Sequence, residues 1–228
     1  MIIRADLHVH TMYSLDGRIR LKDLISRLCE LGIGAIAVTD HNTITGALKL
    51  LDKNPPFKVI VGEEITALGG EIIGLFLKER VKPLMTLEEA ACAVKEQGGL
   101  VYLPHPTSRV VISRVKPKFL NKVLELCDVV EGINGRSIFR ADDKIAIELA
   151  KKWGKPVGVG SDTHLMSDLG SCYVEMEDFS GPADFLEKLR GAKLVDNKKT
   201  SVIKTALLTM VSTPLFALEL LLGVKLTK

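Results

Sequence analysis

The stretch Ile2-Ile3-Arg4-Ala5-Asp6-Leu7-His8-Val9-His10 decides how this chain is read. Its apolar, β-branched start predicts a strand over residues 2–8, and two histidines spaced by one residue close it. Side chains at i and i+2 of a strand point the same way, so His8 and His10 can reach one metal ion. Asp6 would share their face one step deeper, where it is better placed to orient a histidine ring than to bind metal. With Arg4 and Asp6 inside the strand, this start is not read as a leader peptide.

Working outward, Leu21, Leu24, Ile25, Leu28 and Leu31 fall at helical spacing, and residues 34–39 form another short apolar run. Strands are predicted at 58–64 and 71–77. A helix follows, opened by Thr86 with Glu89 three residues on, a capping box, and closed by Gly98-Gly99. Further strands fall at 100–104, 129–134 and 156–160, and helices at 119–126, 142–153 and 182–189, the last opened by Pro182. Strands separated by helices imply an α/β chain with a mainly parallel sheet or barrel. At 228 residues the chain fits one such barrel, expected over residues 1–200.

Polar residues gather at the C-terminal ends of those strands: His8 and His10, Asp40-His41, Glu63-Glu64, His105, Glu131 to Arg136, and Asp162 with His164. In a parallel barrel these ends share one face, where strand-to-helix loops supply side chains to a common point. All five histidines lie there. Ionisable groups converging in one cleft repel or desolvate one another unless a cation neutralises them, so the pattern points to a metal centre. Glu63 and Glu64 are neighbours on a strand, so only one of them faces it.

Composition narrows the alternatives. A formal charge of +3, with both signs interspersed, gives no nucleic-acid signature. Cys29, Cys92, Cys127 and Cys172 form no C-x-x-C pair and read as small buried hydrophobes of a reducing, cytoplasmic compartment. Gln97 is the sole glutamine, and with abundant Lys, Arg and Glu it suggests a thermophile source. No G-x-x-x-x-G-K-[ST] or strand-to-helix G-x-G-x-x-G loop is present, which removes kinase and dehydrogenase chemistry.

Asp6-Leu7-His8-Val9-His10-Thr11 with Ser14 and Asp16-Gly17, Thr39-Asp40-His41, Gly62-Glu63-Glu64, His105-Pro106 and Gly160-Ser161-Asp162-Thr163-His164 resemble, in order, the motifs of the PHP (polymerase and histidinol phosphatase) family. The resemblance spans nearly the whole chain. It implies a metal-dependent phosphoesterase on a distorted (β/α)7 TIM-like barrel with two or three divalent ions. By that resemblance His8, His10 and Asp162 would hold a first ion. Glu64 would bridge to a second that takes His105, and Asp16, His41 and His164 would hold a third. Glu64 is chosen over Glu63 because the family glutamate follows the glycine by two positions. Asp162, His164 and Glu64 would carry the catalytic role. Where many relatives have a further histidine ligand this chain has Glu71, the nearest substitute.

Mixed imidazole and carboxylate donors without cysteine suit Zn, Mn or Fe. Clustered divalent ions activate water to hydroxide near neutral pH and clamp a phosphoryl group. Arg109 and Arg136 follow strand ends and, with Asn134, are expected to contact the phosphate, with Arg114, Lys116 and Lys118 as a basic rim. The expected substrate is a nucleotide or another small phosphomonoester. Two rivals are a barrel hydrolase of amidohydrolase type and a degenerate domain that binds metal or nucleotide as a regulatory module. Residues 201–228 read as an apolar helical tail packed on the barrel or on a partner chain of a homo-oligomer. Pro214 and Glu219 argue against membrane contact.

Overall fold

The computed structural model of this protein describes residues 1–197. The tail expected at 201–228 lies outside the described residues. In chain order the elements are β1 (Ile2–Val9), α1 (Leu21–Leu31), β2 (Ala35–Val38), α2 (Thr45–Leu51), β3 (Lys58–Ala67), β4 (Gly70–Leu75), α3 (Leu87–Glu96), β5 (Leu100–Leu103), α4 (Pro117–Leu126), β6 (Val129–Asn134), α5 (Arg140–Lys152), β7 (Val157–Gly160), β8 (Cys172–Glu177), α6 (Pro182–Leu189) and β9 (Lys193–Asp196).

The strands form one sheet in the order β7-β6-β5-β4-β3-β2-β1-β8-β9. It is a nearly closed α/β barrel with nine strands among the described residues, where seven were expected. Strands β1–β3 run parallel, as do β5–β7. Strand β4 is antiparallel to both neighbours, because only the Leu68-Gly69 turn separates it from β3 and no crossover helix intervenes. Strands β8 and β9 were not foreseen, and they add an antiparallel extension to the lower half of β1. The upper end of β1 turns instead to β7, where Asp162 N donates to His8 O (2.8 Å) and His10 N to Thr163 O (3.0 Å).

Three apolar clusters hold the sheet. The interior is filled by Ala5, Leu7, Ala37, Ile60, Ile73, Tyr102, Val129 and Val159, and its base is closed by edge-on Phe76, Phe179 and Phe185, the last from α6. Outside, α1 and α2 cover β1 and β2, while α3 and α4 cover β4–β6. The Thr86–Glu89 capping box opens α3 as read from sequence. Cys127 and Cys172 are buried, but Cys29 and Cys92 are exposed, which corrects the reading of all four as core residues. Among the described residues no helix is long and apolar enough to cross a membrane.

Pairing register slips twice near the strand ends. One slip falls in β1 between Asp6 and Val9, the other in β6 between Glu131 and Ile133. Each inserts an extra residue and turns the upper strand end, a common device beside functional sites.

Candidate metal centre

The strand ends bring nine expected donors into one buried cluster, in four overlapping groups: His10, Asp16, His41 and His164; His8, His10 and Asp162; His8, Glu64 and His105; and His41, Glu64 and Glu71. The densest part is around β1. His8 Nε2 lies 3.1 Å from His10 Nε2, 3.3 Å from Glu64 Oε2 and 3.8 Å from Asp162 Oδ1. His10 Nε2 is 3.2 Å from Glu64 Oε2 and 3.5 Å from Asp162 Oδ1. Four ligands placed tetrahedrally around an ion at ~2.0–2.1 Å stand about 3.3 Å apart, so these spacings are edges of a coordination polyhedron. Two imidazole nitrogens facing each other with two carboxylates suit a shared cation better than any pairwise hydrogen-bond scheme. The donor set therefore fits divalent metal.

Around this centre, His105 Nε2 sits 3.0 Å from Glu64 Oε1, placing one Glu64 oxygen with His105 and the other with His8 and His10. His164 Nε2 is 3.0 Å and His41 Nε2 3.7 Å from Asp16 Oδ2. The other nitrogen of His41 turns back, 3.3 Å from Glu64 and 3.6 Å from Glu71. Glu71 is buried and faces the cluster, not solvent. Glu63 points the other way, accepting from Val81 N at 2.7 Å and lying 3.7 Å from Arg80.

Electrostatics bear out the mutual dependence. Burial alone would raise the Glu64 carboxyl, yet His8 and His41, with contacts from His10 and His105, hold it well below the usual range. Asp162 is held low against burial by His8 and Arg136, and Asp16 by His164 and His41. Burial opposes charge on His41, but Glu64 and Asp16 push it up to about 10. His164 goes down, through burial and the neighbouring His10 and Arg136 against the pull of Asp16. Burial and the Glu64 charge push Glu71 up to about 7.

His105 and Asp162 both adopt positive φ, 32° and 49°. Such backbone costs of order 1–3 kcal/mol for a residue with a Cβ and persists where surrounding bonds dictate it. Here it aims two donors inward from the strand ends.

Several sequence expectations need correction. Asp6 does not orient a histidine ring: the register slip in β1 breaks the alternation that would place it beneath His8 and His10. Its Oδ1 accepts from the backbone of Ser161 (2.9 Å) and His8 (3.4 Å). The ring of His8 is held by Glu131, and that of His10 meets Ser14 Oγ at 3.4 Å. Asn134 is bonded to its neighbours at both ends of its amide. Its Nδ2 donates to Glu131 (2.9 Å) and Asp162 (3.1 Å), and its Oδ1 accepts from Arg136 N. Arg109 is tied to Asp142 at 2.8 Å and lies over the Phe139 ring, away from the donors. Of the three residues expected to contact phosphate, Asn134 and Arg136 reach the cluster, at 3.1 Å from Asp162 Oδ2 and 3.8 Å from Asp162 Oδ1.

The profile of the PHP domain matches residues 6–127, and that of the PHP-associated region matches 142–194. The chain is 32% identical over 198 residues to the uncharacterized protein MJ0417 of Methanocaldococcus jannaschii, covering 82% of this chain and 79% of that one. Against the error-prone DNA polymerase of Symbiobacterium thermophilum it is 43% identical over 67 residues, 28% of this chain and 6% of the polymerase. A two-domain Bacteroides vulgatus protein containing a predicted PHP-like metal-dependent phosphoesterase superposes with a TM-score of 0.69 at 17% identity, covering 86% of this chain and 65% of that one. An amidohydrolase from Chromobacterium violaceum, solved with bound sulfate and no metal, gives 0.62 at 15% identity, over 86% of this chain and 98% of that one. The first profile spans more than half the sequence and runs through the strand ends that carry His8, His10, Asp16, His41, Glu64, Glu71 and His105, so the chain belongs to the PHP domain family.

Proposed function

We propose that this protein is a metal-dependent phosphoesterase acting on a nucleotide or another small phosphomonoester. The observation that carries this reading is the convergence of four buried side chains, His8, His10, Glu64 and Asp162, with five donor spacings between 3.1 and 3.8 Å. These residues would hold one divalent ion of Zn, Mn or Fe type. Glu64 with His105 would hold a second, and Asp16, His41 and His164 a third. Glu71 would complete the set between His41 and Glu64. When bound, such ions supply Lewis acidity toward a phosphoryl oxygen and lower the pKa of water beside it.

The chain's own groups set up the rest. Asp162 and Glu64 stay ionised and offer negative donors at neutral pH. His164, held below its ordinary value by burial, turns Nε2 to Asp16 Oδ2 at 3.0 Å and Nδ1 to the Asp162 carbonyl at 3.0 Å. Arg136, with a side chain 14% exposed, stands at the rim of the donors and can fork onto non-bridging oxygens of a bound phosphate.

Metal analysis of the purified protein, combined with a screen of nucleotides and sugar and amino-alcohol phosphates in Mn²⁺, Zn²⁺ and Fe²⁺, tests this. The expected result is bound divalent metal, phosphate release, and competitive inhibition by inorganic phosphate. His10→Ala should lose metal and cut turnover at least ~10–100-fold. Metal uptake without turnover of any phosphate ester would move the reading to a binding module, and hydrolysis of amides untouched by phosphate would move it to an amidohydrolase.

A further inference from the structure

One buried carboxylate beneath the donors has no part in that reading. Glu131, on β6, is 1% exposed and faces four donors. On Oε1 it receives His8 Nδ1 at 3.1 Å and the Tyr102 hydroxyl at 3.0 Å. On Oε2 it receives His105 N at 2.7 Å and Asn134 Nδ2 at 2.9 Å. Asn134 passes the restraint on, since the same Nδ2 donates to Asp162 Oδ2 at 3.1 Å. His8, His105 and Asp162 are thus all tied to one side chain.

Strand β7 is shaped around this arrangement. A Cβ on Gly160 would lie 2.2 Å from His8 Cβ and 2.6 Å from Glu131 Oε1, and one on Gly158 would lie 2.4 Å from the Tyr102 ring. The two inward glycines leave the room that Tyr102, Glu131 and the ring of His8 occupy.

We infer that Glu131, braced by Tyr102, is a positioning residue that fixes His8 with its proton on Nδ1 and its Nε2 lone pair turned to His10, Glu64 and Asp162. A carboxylate oxygen only accepts, so the ring nitrogen facing it donates. The opposite nitrogen is then left free as a ligand, the arrangement by which a carboxylate orients a metal-bound imidazole. The bond to His105 N lets the same carboxylate hold the positive-φ turn that delivers the second histidine. This assignment rests on the metal reading of the site.

The test uses full-length protein with ¹⁵N-labelled histidine, loaded with diamagnetic Zn²⁺, and a competition titration against a chromophoric chelator. In the wild type the His8 Nδ1 proton should resonate downfield, as expected of a bond to a carboxylate. In Glu131→Gln that signal should shift or vanish, and Zn²⁺ affinity should fall ~10–100-fold. Tyr102→Phe keeps the ring under Gly158 and reads the same carboxylate from its other side. It should weaken Zn²⁺ a few-fold and move the His8 signal, and it decides the matter should Glu131→Gln not fold. Wild-type affinity together with an unmoved Nδ1 signal, in Glu131→Gln or else in Tyr102→Phe, overturns the assignment while leaving the metal reading intact. A wild-type protein that takes up no Zn²⁺ overturns both.

Discussion

Asp6 stands where β1 changes partners, and its carboxylate takes up backbone N–H groups of Ser161 and His8 there. Burial pushes its carboxyl up to about 7 from 3.8, despite those bonds. A carboxyl raised in the folded state contributes stability that is fully present below its unfolded value and lost as pH rises through the folded one. The melting temperature of metal-free wild type should therefore lose ground to Asp6→Asn between pH 4 and pH 8. A gap that stays constant over that range would show that Asp6 does not titrate there. The histidines were legible because residue type and strand-end position coincide, and the structure gathers all five. The partners of Arg109 and Asn134 are not legible in the sequence, because a loop arginine and a strand-end amide look alike there whether they face a ligand or a neighbour. What decides is Asp142 for one, 33 residues along the chain, and Glu131 for the other, three residues back on the same strand. The signal for Glu131 was there in Val129-Val130-Glu131-Gly132-Ile133, an acid inside an otherwise apolar strand.

At the level of elements, β3 shows how much a period of two can do. Glu63 and Glu64 leave the strand on opposite faces, one to Val81 N and Arg80, the other to the histidines. Glu64→Gln should weaken metal binding at least ~10-fold, whereas Glu63→Gln should leave stoichiometry unchanged and cost about 1 kcal/mol of stability. Calorimetric metal titration and denaturant melts separate the two, and the reverse ranking would mean the wrong glutamate was chosen. Gly160→Ala forces a methyl into His8 and Glu131, so it should cost about 1–3 kcal/mol and loosen metal as well. Native metal affinity in that variant would argue against the tight fit. Helix α2 escaped notice because its seven residues are too few for a clear apolar stripe, although Thr43 and Thr45 mark its start. The hairpin of β3 and β4 is not legible because strand direction is not written in periodicity: two apolar runs with a Gly-rich turn between them read the same whichever way the second one runs.

For the molecule as a whole, the donors come from β1, β3 and β4 and from the loops after β1, β2, β5 and β7, so any ion they hold joins both halves of the sheet. Free metal at about 100 times its Kd adds about 2.7 kcal/mol, and a domain of this size shifts about 2–4 °C per kcal/mol. Chelation should lower the melting temperature by about 5–10 °C, and an unchanged melt would mean that no ion bridges the halves. The barrel class was readable from the alternation of strands and helices; its strand count was not, because among the described residues β8 and β9 pair only with β1 and with each other. That pairing splits β1 like the tongue of a zip fastener. Residues 2–5 are stitched to β8, while His8 and His10 are stitched to the segment after β7 by two backbone hydrogen bonds. One strand thus answers to two masters: its first half opens only with the core, whereas the amides of His10 and Asp162 open with the ligands beside them. Proton exchange at those two amides becomes a gauge of site occupancy, read from the backbone without any substrate.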